Sequence, residues 1–216
     1  MSDTPVEVDH AFTHTDVEVL ENKSGYDGFL KLRQLQLRHR QFAGGWGREL
    51  SREIVQRHRA VGVLLYDPAL DAIALVEQFR IGALALENAA SPVASPWLLE
   101  LVAGLIDSAE NPEQVARREA LEEANIAVRD MEFVCEYFSS PGGSNEYFYL
   151  FCGHCDLSSA GGVYGLPEEG EDIRVQILPF ADALQCLQDG GLCNAHTIIA
   201  LQWLQLHRQR LQQIWR

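Results

Sequence analysis

The sequence predicts an α/β (α+β) fold: a mixed β-sheet sandwiched between helices, preceded by a smaller antiparallel sheet. Three observations lead there. Before about residue 58, single apolar residues alternate with polar ones, as in Leu30-Lys31-Leu32 and Leu35-Gln36-Leu37, which is the period of a half-buried strand. Beyond residue 59 come denser apolar runs of strand length, residues 61–66 and 73–79, separated by a turn over residues 67–71. Finally, one stretch in the middle of the chain and two at its end carry helical caps or helical spacing.

Two domains follow from this shift in pattern. Residues 1–58 are a β-rich region broken by a Gly44-Gly45 turn, with too little apolar surface to form a core alone. Residues 59–216 hold the main core. A loop rich in Ala, Pro and Ser, residues 82–96, reads as an insertion before a strand at 97–102. The central helix has marked ends: Asn111 as N-cap, Pro112 at the first helical position and Glu113 in the first turn, running to about Ala124. Asn125 then stands where the left-handed conformation closes a helix, and Asn is the non-glycine residue that tolerates it best. Strands at 131–138 and 147–152, a polar segment at 156–172 and a strand at 173–178 come next. The first closing helix spans 180–188. The second spans 195–215, with Ile198, Leu201, Leu204, Leu211 and Ile214 as its apolar stripe.

With 216 residues, 47% of them hydrophobic, the chain can bury a substantial core and a smaller appended one. Its formal net charge of −14 argues against sequence-independent nucleic-acid binding, which needs clustered Lys and Arg. No apolar run approaches the roughly 18 residues of a membrane span. Five scattered cysteines are unlike a secreted disulfide framework, so a cytoplasmic protein is expected. Cys152 and Cys155 have the spacing of a zinc or redox pair, but no second pair of ligands lies near them in sequence. Trp203 and Trp215 suit packing or dimer contacts better than a ligand site.

The chemistry concentrates on the central helix. Glu119, Glu122 and Glu123 fall at neighbouring helical positions, where like charges repel, so the cluster calls for a cation. Hard divalent ions take carboxylate and carbonyl oxygens, and Glu119 and Glu123, one turn apart, offer two. Arg118 is one turn from Glu122 and can orient the acids. Gly104 permits close backbone approach, and the carbonyl of Ala103 just before it can face an ion. A second acidic cluster, Glu168-Glu169-Gly170-Glu171-Asp172, lies in a polar segment able to carry a general base.

The segment from Gly104 to Ile126, GLIDSAENPEQVARREALEEANI, resembles the Nudix box of metal-dependent pyrophosphate hydrolases. Gly104 opens it, Glu110 follows, and Arg118-Glu119 and Glu122-Glu123 supply its paired residues; Asn125 replaces the late glycine. Pro141, in Ser139-Ser140-Pro141-Gly142-Gly143, is similar to the proline that marks the ADP-ribose branch. The stretches around Glu77-Gln78-Phe79-Arg80, Pro96 to Gly104, Gly165 to Val175 and Ala200 to His207 extend the resemblance over nearly the whole chain.

The resemblance implies a Nudix fold and Mg²⁺-dependent hydrolysis of the ADP-ribose diphosphate to AMP and ribose 5-phosphate, with Mn²⁺ an alternative ion and up to roughly three ions per site. It also implies a homodimer whose N-terminal strands are exchanged. Ala103, Glu119, Glu123 and Glu171 would hold metal. Glu169 would be the base, with Glu168 its competitor. Phe29, beside Leu30, would stack on adenine, while Arg52, Glu53 and Arg57 would contact the nucleoside end. Arg80 would contact phosphate, and Leu105, Ser140, Gly142 and Glu146 would line the rest. Other nucleotide sugars, such as ADP-mannose or GDP-mannose, are the alternative substrates. A non-catalytic module that senses ADP-ribose is the rival of another class, but it would carry a degraded box and a basic DNA-binding segment.

Overall fold

The computed structural model describes residues 8–84, 94–107 and 109–215, and at Glu169 the backbone alone. Most of the insertion read at 82–96 therefore lies outside the described residues. The chain folds as two compact units, Met1–Arg57 with Ser140–Asn145, and His58–Ser139 with Glu146–Arg216.

The first unit is a three-stranded antiparallel sheet, β1 (Val17–Asp27), β2 (Lys31–His39) and β3 (Leu50–Gln56) in that order. Asp27 pairs with Lys31, which leaves residues 28–30 as a tight hairpin tip carrying Phe29. Between β2 and β3 the chain reverses through Gly44 and Gly45, at φ 98° and 76°, a left-handed region that costs glycine little. Segment 140–145 joins this unit through Val55, whose N–H donates to the Gly143 carbonyl at 2.8 Å. The alternating pattern of these strands predicts one covered face, yet no residue in β1, β2 or β3 is buried within the chain.

The second unit is built on a mixed sheet in the order β10-β11-β5-β4-β9-β8. Its strands are β4 (Arg59–Asp67), β5 (Ala72–Phe79), β6 (Trp97–Glu100), β7 (Val102–Ile106), β8 (Met131–Phe138), β9 (Tyr147–His154), β10 (Gly162–Tyr164) and β11 (Ile173–Pro179). Only β4 and β9 pair in parallel; the other pairs are antiparallel. The turn between β4 and β5 is tied by buried Asp67, which accepts the N–H groups of Ala69 and Leu70 at 2.8 and 3.1 Å and that of Leu157 at 2.9 Å.

The single strand read at 97–102 is in fact two strands. β6 pairs with β5, from Phe79↔Trp97 to Val76↔Glu100, and then the chain steps across at Leu101 so that β7 pairs with β4, from Val63↔Val102 to Arg59↔Ile106. β4 and β5 pair with each other only over Leu65–Asp67 and Ala72–Ala74, so they diverge beyond that point and β6 and β7 fill the split. Gly104, two residues beyond the strand read at 97–102, is therefore a paired strand residue opposite Val61.

Three helices cover both faces of this sheet: α1 (Pro112–Ala124), α2 (Phe180–Gln188) and α3 (Ala195–Ile214). Strand alternation sends Val61, Val63 and Leu65 to the α1 side, where they meet Val115, Ala116 and Ala120, and sends Leu64 and Tyr66 to the other side, among Phe180, Leu201, Leu204 and Leu211. With both faces buried, continuous apolar runs are what β4 and β5 require. The inner face of α3 departs from the expected stripe: Thr197, Ala200, Leu201, Leu204 and Leu211 are buried, whereas Ile214 is exposed. At about 100° per residue, Trp215 falls on the face of Leu201, Leu204 and Leu211 while Ile214 falls to its side, and Trp215 is buried, stacked on His154. Cys152 and Cys155 are buried core residues.

The ends of α1 follow the sequence signals. Asn111 Oδ1 accepts the Glu113 N–H at 2.9 Å, and Asn125 is left-handed at φ 54° and ψ 37°. Ile126 N–H reaches back to the Ala120 carbonyl at 3.0 Å, a bond that closes the helix. We predict that Asn125→Gly leaves thermal stability unchanged or raised, while Asn125→Val costs about 1–2 kcal/mol in denaturant unfolding because a β-branched residue is strained at positive φ.

Candidate active site

α1 packs on β7 and β4 through Val115, Ala116, Ala120, Glu123 and Ala124, so one of the box acids occupies a core-facing position. Glu123 is only 3% exposed, and its Oε2 accepts the Ala103 N–H at 3.1 Å. Burial pushes its carboxyl up to about 8; the Ala103 N–H opposes this, and the charges of Glu119 and Glu171 add to it. Glu119, one turn earlier, lies against Gly104, where a Cβ would stand 2.0 Å from its Oε1. The glycine is thus required by space. Arg118 gathers the flanking acids, with Nη1 2.8 Å from Glu122 and 3.0 Å from Glu119, and Nη2 4.0 Å from Glu110.

Glu171 reaches this group from the segment before β11. The turn that holds it closes on itself: Glu171 N–H donates to the Leu166 carbonyl at 3.2 Å, and Leu166 N–H donates to Glu171 Oε2 at 3.0 Å. Gly165, at φ 105°, is essential to the turn, because a Cβ there would lie 2.7 Å from that of Glu171. Glu168 and the backbone of Glu169 form a 3-10 turn, Pro167–Glu169, ended by left-handed Gly170.

Arg80, just past β5, lies close enough to Glu123 for its charge to act on that carboxyl. Its Nε donates to Glu100 Oε2 at 2.7 Å, and Glu100 is itself buried. Gln78 shares the α1-facing side of β5 with Val76, and its Nε2 is buried with no hydrogen-bond partner among the described residues. Such a buried amide nitrogen calls for an acceptor that the described residues do not supply.

Ala103, Glu119, Glu123, Glu171 and Arg80 are thus brought together in one unit. Leu105 is a partly exposed residue of β7, and Glu146 accepts the Ser139 hydroxyl at 2.6 Å in the same unit. The remaining predicted residues belong to the other unit. There Phe29 is 87% exposed and Leu30 is exposed beside it, Arg52 and Glu53 are exposed on β3, and Ser140 and Gly142 are exposed; Arg57 donates its N–H to Asn145 Oδ1 at 2.7 Å. Among the described residues, no three Asp, Glu, His or Cys side chains already converge at ligand distance. Glu100 and Asn194 escaped the sequence reading. The lone acid inside the apolar run 97–102 was the available signal for Glu100, while Asn194 read only as the residue before a helix.

The carboxyl groups of Glu119 and Glu171, close enough for their charges to act on buried Glu123, form with it an oxygen donor set that fits a hard divalent cation. The NUDIX domain profile matches residues 56–197, and the chain belongs to the Nudix family, whose hydrolases generally use divalent metal ions. It is 42% identical over 212 residues to the ADP-ribose pyrophosphatase of Haemophilus influenzae, covering 97% of this chain and 95% of that protein. It is likewise 42% identical over 204 residues to that of Escherichia coli K12, covering 94% and 95%. A GDP-mannose pyrophosphatase of Pectobacterium atrosepticum is 34% identical over 190 residues, covering 86% and 92%. A crystal structure of an ADP compounds hydrolase shares the fold, with a TM-score of 0.65 at 17% identity over 94% of this chain and 98% of that one.

Because the folded carboxyl of Glu123 titrates near 8 against an ordinary 4.5, the folded state holds its proton more tightly than the unfolded state. The corresponding stability is present below about 4.5, falls as pH rises towards about 8 and is flat above that. In chelator-treated protein, Glu123→Gln is expected to flatten this decline in melting temperature between pH 5 and about 8. Added divalent cation should raise the melting temperature of the unsubstituted protein more at pH 8 than at pH 5. Gly104→Ala is expected to displace Glu119 and abolish that cation-dependent rise while the protein still folds, as read by circular dichroism.

Proposed function

We propose that this chain hydrolyses the diphosphate of ADP-ribose to AMP and ribose 5-phosphate in the presence of Mg²⁺. The observation that carries the reading is the buried, charge-strained Glu123 beside Glu119 and Glu171. Support also comes from 42% identity over nearly full length to two proteins described as ADP-ribose pyrophosphatases.

The ion would be held by the carboxylates of Glu119, Glu123 and Glu171 and the carbonyl of Ala103. When bound, it neutralises charge on the diphosphate and makes a water more acidic. The chain's own groups supply the rest. Arg80 binds phosphate oxygens through its planar fork, and Arg118 keeps the box acids oriented. Glu169 takes the proton from the attacking water at its carboxylate, with Glu168 as the competing base. Phe29 stacks on adenine beside Leu30, Arg52, Glu53 and Arg57 contact the nucleoside end, and Leu105, Ser140, Gly142 and Glu146 line the remainder of the substrate. Manganese could replace magnesium, since both take oxygen ligands in octahedral geometry.

The protein acts as a cytoplasmic homodimer in this reading, with residues 1–58 as the dimerisation region and residues 59–216 as the catalytic domain. A sheet with no buried residue, bearing exposed Val19, Tyr26 and Phe29, favours a second copy as its cover. GDP-mannose is the second substrate reading, favoured by the 34% identical relative of that description.

A panel of ADP-ribose, ADP-mannose and GDP-mannose, assayed with and without Mg²⁺, tests the function. ADP-ribose is expected to show the highest kcat/KM and to lose turnover in chelator; no hydrolysis up to about millimolar substrate contradicts the reading. Glu169→Gln is expected to lower kcat by about 100-fold or more with divalent-ion affinity retained, and near-normal turnover would remove Glu169 as base. Light scattering is expected to give twice the chain mass, against the chain mass if the dimer proposal is wrong.

A further inference from the structure

Arg80 is anchored from an unexpected quarter. Its Nε donates to Glu100 Oε2 at 2.7 Å, and the other oxygen of that buried carboxylate, Oε1, accepts Asn194 Nδ2 at 2.8 Å. Asn194 is the N-cap of α3, nearly a hundred residues further along the chain. Its Oδ1 accepts the Thr197 N–H at 3.2 Å, so the two ends of one side-chain amide do separate things: the oxygen caps a helix, and the nitrogen holds the carboxylate that holds the arginine. Thr197, fully buried, adds a second tie, since its Oγ1 accepts the Leu101 N–H at 3.0 Å. Leu101 is the step between β6 and β7, two residues before Ala103.

We propose that the first turn of α3 is a positioning element for the reaction centre, with Asn194 acting through Glu100 to fix the guanidinium of Arg80. The geometry carries this further than a helix cap requires. A cap needs only the oxygen of residue 194, which Ser, Asp or Thr supply as well. The carboxamide nitrogen serves Glu100 alone, and a buried carboxylate is a rigid anchor only when its oxygens are both engaged. With Nε taken by Glu100, Arg80 presents the Nη edge of its fork in one direction. The guanidinium is half-exposed, so without this anchor its side chain would sample other rotamers.

The inference rests on the reading of Arg80 as a phosphate contact, so its test has one arm that needs no substrate. Asn194→Ser keeps the cap and removes the amide nitrogen; Asn194→Asp keeps cap and size and turns the donor into a like charge beside Glu100. In ¹⁵N NMR of the full-length protein, the Arg80 Nε–H signal is expected to exchange faster with water in both variants than in the unsubstituted protein. With ADP-ribose and Mg²⁺, kcat/KM is expected to fall about 10-fold, within the range that small misplacements cause. In an Arg80→Ala background the same Asn194 substitutions should have almost no further effect, which a merely stabilising cap would not predict. An unchanged Arg80 signal overturns the proposal, as does a loss of kcat/KM that is equally large in the Arg80→Ala background. If the unsubstituted protein hydrolyses no nucleotide sugar, the proposed function fails, and the NMR arm alone decides whether Asn194 positions Arg80.

Discussion

The position of Glu123 on the inner face of α1 is the constraint from which the rest of the site follows. A helix that buries Val115, Ala116, Ala120 and Ala124 would ordinarily place another small apolar residue at that point of the stripe. A carboxyl stands there instead, with one backbone N–H for a partner and two other acids close enough to push its titration up to about 8. Such a group costs stability in its charged form unless a cation or a proton accompanies it. The apolar packing on both faces of the sheet raises that cost, and the rest of the buried core has to offset it.

The split in the main sheet is what makes room for that place. β4 and β5 separate after a short pairing, and the chain crosses between them at Leu101, delivering Glu100 to the β5 side and Ala103 and Gly104 to the β4 side. One step of backbone thus serves two demands, an anchor for Arg80 and a close seat for Glu119 over a residue without a Cβ. The turn from Gly165 to Glu171 brings a further carboxylate from the segment before β11, and its geometry depends on Gly165, which is left-handed and leaves no room for a Cβ. Helical spacing groups the box acids, and sheet topology brings Glu171 to them.

Much of this was legible in the sequence because the signals were local. Asn111 and Pro112 opened α1 and Asn125 closed it, as caps do by satisfying the backbone groups that a helix leaves unpaired. Dense apolar runs gave β4 and β5, and the box acids stood out by their helical spacing. What escaped was long-range. The step at Leu101 is set by which strand each half pairs with, and no periodicity within residues 97–106 encodes that choice. Ile214, read as part of the apolar stripe, is exposed at the last position of α3, where sequence spacing fixes the face least well. Asn194 and Glu100 lie 94 residues apart in the chain, so their hydrogen bond could be found only in the folded protein.

The site depends on the state of one carboxyl group. Carbon-detected NMR of Glu123, titrated in chelator-treated protein and again in Mg²⁺, measures it directly. The midpoint is expected near 8 without the ion and in the ordinary carboxylate range when Mg²⁺ is present. A midpoint near 4.5 in the ion-free protein, or one that Mg²⁺ does not move, would contradict that expectation.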